Sequence, residues 1–359
     1  MVVSEDIRVK FTAKGHRVDD MAVWRRQLPG DQDRWGRCLF TFDPDDRNYD
    51  WLVVYDDLAP SGPERFSRRV EQLACPRSQT LFITAEPSTI KVYGRDFLNQ
   101  FGWLLTSQEP WATPHPGAIH AQPALRWFYG VPWRWQECPE RLRSWDAMHA
   151  AVMPPEKHKL ISTVTSSKQM SATEHRARFE FITRLRQAMP ELEAFGHGVQ
   201  LIDDKADALD GYRYHVAVEN HVCDHHITEK LSDAFLGCTL PFYSGAPNAV
   251  DYYPADSFIP IDIHDFEGSL HTIRQAIANG EYEKRLPAIL EARRRVLEEH
   301  NIFAVIDRLV SERHAPAAGA EPGAVIYSRH RARARSPLSL VRFWLESRRV
   351  RRRHRRAGE

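Results

Sequence analysis

The stretch VENHVCDHHITEKL, residues 218–231, crowds acids, an amide, a thiol, three histidines and a lysine into fourteen positions. It begins at the last residue of a β-rich run, YRYHVAV (212–218), and runs into a helical pattern, TEKLSDAFLG (228–237). Thr228 has the chemistry of an N-cap and Gly237 that of a helix stop. The order is strand, polar loop, helix. A helix that starts at the carboxyl end of a parallel strand presents free N–H groups and a positive dipole end, and so attracts phosphate. Lys230 stands in the first turn, where a cation is unfavourable for the helix unless an anion lies there. Glu229 beside it can accept hydrogen bonds from sugar hydroxyls or a base. Three readings stay open on these residues alone: a nucleotide or sugar-phosphate pocket, a solvated loop with an ordinary cap, and a zinc site. His221, Cys223, Asp224, His225 and His226 are all zinc-ligand types, but no second cluster with matching spacing accompanies them.

The same alternation extends outward. IRVKF (7–11), RCLFTF (37–42), YDWLVVYDD (49–57) and TLFITAEP (80–87) read as strands, and residues 61–75 as a helix. Prolines crowd residues 108–160, which places an irregular connection there and a boundary near 150. After it, HKLISTVTS (158–166) reads as a strand. Ser171 with Glu174 makes a capping box for a helix whose face carries Phe179, Ile182, Leu185 and Met189. LPFYSGAPN (240–248) reads as a strand and turn in which Gly245 permits close backbone approach, and helices fill much of 267–310. Strands alternating with helices imply parallel sheets with ligands at strand carboxyl ends. The aromatic-rich ALRWFYGVPWRW (124–135) suits core packing better than sugar stacking.

With 359 residues, 42% of them apolar, the chain can build two cores. No apolar run reaches 18 residues, and the first twenty lack the pattern of a signal peptide. Five scattered cysteines without C-x-x-C spacing fit a reducing compartment. The net charge of +1 hides a division. Residues 329–356 hold 12 arginines and one acid, Glu346, leaving 37 basic against 47 acidic residues elsewhere. An acidic body with a basic tail suggests a tail that seeks polyanions. Within the tail, Ser336 caps a helix with Pro337 at its first position. Leu338, Val341, Trp344 and Leu345 share a broad face, the pattern of an interfacial amphipathic helix on anionic lipid. HAPAAGAEPGA (314–324) reads as the linker to it.

Residues 212–266, from YRYHVAVENHVCDHHITEKL through PFYSGAPNAVDYYPADSFIPIDIHDF, resemble the donor-binding motif of the α1,3/1,4-fucosyltransferase family. That family reads approximately E-N-S-x-x-x-D-Y-I-T-E-K-L, then a V-P-V-V-x-G strand and S-F-I. Weaker similarity covers 157–185 and 84–108. The resemblance implies a GT-B fold of α/β class: two Rossmann-like lobes with an interlobe cleft, followed here by the basic amphipathic helix. Residues 1–150 would form the acceptor lobe, 155–312 the nucleotide-sugar donor lobe, and 313–359 the linker and tail. It implies an inverting transfer of fucose from GDP-fucose to a hydroxyl of a glycan acceptor of surface-polysaccharide or lipopolysaccharide type. Glu86 would be the general base. Arg178 and Lys230 would meet the diphosphate, with Lys168 as an extra contact. Asn220 and Glu229 would position ribose, base or phosphate. Glu219 would orient its neighbours, and His226 would stack on the base where the family has tyrosine. No metal or other cofactor is required, although a divalent cation could stimulate. His221 replaces the usual serine and His225-His226 the usual Asp-Tyr, which keeps open a transferase of this fold using another nucleotide sugar. A non-catalytic glycan or polyanion binder is the alternative of a different class, and nucleic acid is the least favoured partner. The expected location is cytoplasmic, peripheral on the inner face of the membrane through residues 336–356.

Overall fold

In the computed structural model, residues 6–14, 21–60, 62, 64, 66–151, 154–165, 174–316 and 319–357 are described. They divide into two α/β units: one made of residues 1–123 with 302–359, the other of 124–301.

The first unit is built on a seven-stranded sheet. Its strands are β1 (Ile7–Ala13), β2 (Arg34–Trp35), β3 (Cys38–Thr41), β4 (Trp51–Tyr55), β6 (Thr80–Ile83), β7 (Trp103–Thr106) and β8 (Ala118–His120), and β5 (Val70–Gln72) stands apart from it. The order is β2-β3-β1-β4-β6-β7-β8, and every pairing is parallel except β2–β3. Trp51, Leu52, Val53 and Val54 of β4 are all buried, as a strand covered on both faces requires.

The second unit holds β9 (Lys159–Val164), β10 (Leu192–Phe195), β11 (Tyr212–Val218), β12 (Leu240–Ser244) and β13 (Ile259–Pro260). They form an all-parallel sheet in the order β10-β9-β11-β12-β13. Alternation along these strands feeds two cores. Tyr214, Val216, Leu240 and Phe242 pack with the helices His175–Ala188 and Phe266–Ala278 on one face. Ala217 and Tyr243 pack with the helices Glu229–Leu236 and Glu281–Glu298 on the other. The α/β class read from the sequence is therefore present in both units.

The division of the chain differs from the expected 1–150, 155–312 and 313–359. Residues 124–150 belong with the second unit because Asp233 Oδ1, nearly fully buried, accepts the backbone N–H groups of Phe128 and Tyr129 at 3.0 Å each. Trp127 and Tyr129 of the aromatic stretch enter the core around the Glu229–Leu236 helix, whereas Trp133 is exposed. The chain returns to the first unit at the helix Ile302–Arg313. There Asp307 Oδ1 accepts the N–H groups of Arg37 (2.9 Å) and Cys38 (3.2 Å), and Phe303 packs against Phe11, Phe40 and Phe42.

The helix expected over 61–75 is also corrected: β5 lies within that span, and it pairs antiparallel with β14 (Val325–Tyr327). Glu71 of β5 is buried and ion-paired to buried Lys10 of β1 at 2.7 Å, a contact that local periodicity does not announce. The stretch expected to be a linker, 314–324, is held near both of its ends: Ala324 O accepts Leu73 N, and Ala315 N donates to Gln79 Oε1. The C-terminal helix runs Pro337–Ala357 with Ser336 accepting Ser339 N at its start. One face docks on the first unit. Glu346 Oε2 accepts Arg95 N at 3.0 Å, Arg342 pairs with Asp96, Val350 is buried, and His354 Nε2 lies 2.7 Å from Ser88 Oγ. Leu338, Val341, Trp344 and Leu345 are each more than half exposed. No helix among the described residues is long and apolar enough to cross a membrane.

His215 on β11 is 5% exposed, with Nδ1 2.8 Å from Ser162 Oγ. Burial, reinforced by the charges of Lys205 and Lys157, pushes its pKa down to about 3. A histidine held neutral in the fold but titrating near 6.5 unfolded contributes stability that is full above pH 6.5 and is lost as pH falls toward 3. Thermal unfolding at pH 7 and pH 5 should therefore show a fall in Tm. His215→Gln should reduce the size of that fall.

Candidate functional site

The carboxyl end of β11 and the start of the Glu229–Leu236 helix build the site from both sides. Glu219 N donates to Ser244 O (2.8 Å) at the edge of β12. The Glu219 side chain has no solvent exposure and turns toward the helix start. Its Oε1 accepts the Thr228 N–H at 2.9 Å, its Oε2 the Thr228 hydroxyl at 2.7 Å, and Lys230 Nζ stands 3.2 Å from Oε2. Thr228 is the N-cap, accepting the N–H of Lys230. Glu219 thus staples the helix to the strand. Gly245 is required for a steric reason: a Cβ there would lie 2.6 Å from Glu219 Cγ and 2.2 Å from the Tyr243 hydroxyl.

Lys230 is held at the mouth of this arrangement, 3.2 Å from Glu229 as well as from Glu219. Burial works against its charge, but Glu219 and Glu229 more than offset this and raise its pKa. Burial likewise opposes ionisation of Glu229, yet Lys230 and Lys205 prevail and hold its carboxyl below the usual range. The pair is fully ionised at neutral pH.

Arg178 was assigned to the site by resemblance, since an arginine on an amphipathic helix is ordinarily solvated. In the structure it is 5% exposed. The buried face of the His175–Ala188 helix carries Arg178, Phe181, Ile182 and Leu185, rotated from the expected face so that Phe179 is only half-buried. Arg178 Nη1 donates to Asn220 Oδ1, and Asn220 O accepts Glu174 N at 3.1 Å. Burial lowers the Arg178 pKa against the pull of Glu219 and Glu229, and leaves a cation beside these carboxylates. Arg178, Glu219, Asn220, Glu229 and Lys230 therefore form one network. Ser167, Lys168 and Ser171 lie outside the described residues.

Two members escaped sequence reasoning. Lys205 Nζ lies 2.8 Å from Asp233 and 3.7 Å from Glu229. Glu229 and Asp233 are i and i+4 on one helix, a like-charge pair that is destabilising unless a cation joins it. That spacing was a legible sign that a cation was needed, though not of which one.

The histidines serve the loop. His225 adopts φ +66°, uncommon outside glycine, and is fixed there by Asn248 Oδ1 accepting its N–H (2.7 Å) and by its Nδ1 lying 2.6 Å from the Tyr252 hydroxyl. His226 is 2% exposed and packs edge-to-face with His221 at 5.8 Å. Stacking on a base would require its loop to open.

Glu86 belongs to the other unit. The strand before it ends at Ile83, earlier than expected, and Glu86 is exposed in the turn that follows. Its backbone is fixed: Gln108 Nε2 donates to Glu86 O at 2.7 Å, and the Tyr93 hydroxyl accepts Ala85 N at 3.0 Å while donating to Asp56 Oδ1 at 2.7 Å.

Residues 154–279, the span holding the network around Lys230, match the model of glycosyltransferase family 10 (fucosyltransferase), C-terminal domain. The match to that fucosyltransferase family is confined to this segment. A human 4-galactosyl-N-acetylglucosaminide 3-alpha-L-fucosyltransferase 9 is 30% identical over 121 residues, 32% of this chain and 32% of that protein. The alpha-(1,3)-fucosyltransferase FucT of Helicobacter pylori is 29% identical over 94 residues, 24% of this chain and 19% of that one. The chain thus spans about a third or less of the length of these curated relatives. Among solved structures, an alpha1,3-fucosyltransferase with GDP-fucose is similar over 83% of this chain and 92% of its own, at 15% identity and a TM-score of 0.46.

Proposed function

We propose that this chain belongs to glycosyltransferase family 10 and is an inverting glycosyltransferase of GT-B type that transfers fucose from GDP-fucose to a hydroxyl of a surface glycan. The observation that carries the reading is the buried Glu219–Thr228–Lys230 arrangement at a strand end, lying within the family-matched segment. The acceptor oxygen attacks the anomeric carbon as the bond to the diphosphate breaks. The bonding pair departs with GDP, and the acceptor proton passes to the Glu86 carboxylate. Lys230 and Arg178 offset the charge that builds on the leaving diphosphate. Asn220 and Glu229 orient the nucleotide, and His226 reaches the base once its loop opens. Fixed cations and a helix N-terminus can do what a metal does for other transferases, so no cofactor is required, and a divalent ion acts at most as a stimulant.

The second reading, a transferase for another nucleotide sugar, is favoured by the three histidines of 221–226. For location, the exposed Leu338, Val341 and Leu345 among the tail arginines support docking on the anionic inner face of a cytoplasmic membrane. The test is GDP or UDP release from GDP-fucose, GDP-mannose and UDP-glucose over a panel of glycan acceptors, with the product anomer read by NMR and EDTA in a parallel series. Turnover of GDP-fucose with inverted configuration and an EDTA-insensitive rate is expected. Turnover of a UDP sugar instead would replace the donor assignment.

A further inference from the structure

The first unit contains a cavity of about 980 Å³ beside Glu86, at the upper end of the range for ligand pockets. The turn carrying Ser88, Lys91 and Val92 lines one part of it, and the C-terminal helix lines another with Leu340, Trp344 and Arg348. Six cations line it: Lys14, Lys91, Arg329, Arg333, Arg348 and Arg351. Only two carboxylates do, Glu86 and Asp56, and Asp56 is engaged by Lys91 and the Tyr93 hydroxyl. Among the described residues no carboxylate lies within ion-pair distance of Arg329, Arg333, Arg348 or Arg351. Arg329 Nε and Arg333 Nη2 are buried without a hydrogen-bond partner. Like charges crowd one another here. Burial and Arg329 push Arg333 down to about 10, and burial with Arg333 and Arg329 pushes His330 down to about 4.

Asp57, whose Oδ1 accepts the Arg329 N–H, offsets Arg329 and Arg333 in part. Gathering six cations around a cavity with so few acids still costs stability unless an anion enters it. Aromatic surface accompanies the charge. Trp344 is 52% exposed, with the Arg348 guanidinium 4.5 Å from its ring centre. A cationic wall, a flat aromatic side chain and a carboxylate suit a sugar that bears an acid.

We infer that this cavity binds the anionic group of an acidic saccharide, a phosphate or carboxylate on the acceptor, with the C-terminal helix as one wall of the acceptor site. The inference rests on the glycosyltransferase reading for the word acceptor, but binding in the cavity can be measured without it. A neutral acceptor would leave Arg348 and Arg351 without a counter-charge. An acidic one pairs with Arg333, Arg348 and Arg351 and brings its hydroxyls toward the cavity that Glu86 lines.

The test is calorimetric titration of the full chain with glucose 1-phosphate, methyl glucoside, inorganic phosphate and phosphatidylglycerol vesicles. Saturating GDP is present, to exclude binding at the nucleotide site. The comparison protein is Arg348→Gln/Arg351→Gln, two exposed positions without an ion pair, so folding is preserved; thermal unfolding checks this. Glucose 1-phosphate should bind at least about tenfold more tightly than methyl glucoside, and the double variant should lose at least about tenfold of that affinity with GDP affinity unchanged. Equal binding of the two sugars, or a sugar-phosphate affinity untouched by the double variant, overturns the inference. So does inorganic phosphate binding as tightly as the sugar phosphate, or variant-sensitive vesicle binding with no measurable binding of glucose 1-phosphate. If GDP does not bind the wild-type chain, the donor reading fails. The same titrations run without GDP, in wild type and in Lys230→Ala, still decide the cavity.

Discussion

Glu86→Gln should lower kcat by roughly 10²–10⁴-fold while leaving GDP affinity and Tm essentially unchanged. Glutamine keeps the shape of the side chain and removes its capacity to take a proton. Glutamine stays within the turn, which is held through backbone atoms: Glu86 O accepts from Gln108, and Ala85 N donates to the Tyr93 hydroxyl. Steady-state kinetics with GDP-fucose, run beside a GDP titration, separates the two effects. A variant that keeps more than about a third of wild-type kcat removes Glu86 as the base.

Lys230→Ala should have the larger physical consequence. It removes the cation proposed to meet the nucleotide diphosphate and the counter-charge of Glu219, whose side chain has no solvent exposure. Breaking a buried pair by deleting one partner typically costs about 3–5 kcal/mol, because the other charge is left uncompensated. Thr228 still offers Glu219 two hydrogen bonds, and Arg178 remains nearby, which places the expected loss at the lower end. GDP affinity should fall by at least about 100-fold, equivalent to about 2.7 kcal/mol. Urea unfolding measures the first effect and calorimetry the second. A variant that loses GDP binding but keeps a cooperative transition separates ligation from folding.

What the sequence disclosed follows the range of the interactions involved. Strands and the cap at Thr228 were readable because they depend on neighbours within a few residues. The place of Lys230 and Glu219 at a strand end followed from the same local order. The unit boundaries were not readable, because they depend on Asp233 accepting N–H groups from about a hundred residues away and on Asp307 capping the start of β3. β5 was read as helix because its reasons to be a strand, the Lys10–Glu71 pair and the partner β14, lie far along the chain. Arg178 shows the opposite limit. Its helix was legible, but which face turned inward was not, since an arginine counted as polar disguises the buried stripe it belongs to. The tail illustrates both: its helix and exposed apolar residues were foreseen, but not the docking of its other face through Glu346 and Val350.

The central claim is that the network around Lys230 is a guanine-nucleotide diphosphate site. Calorimetric titration of GDP into wild type and into folded Lys230→Ala tests it most directly. The account predicts micromolar binding to wild type and none detectable in the variant. Absence of GDP binding to wild type, or equal affinity in both proteins, would contradict it.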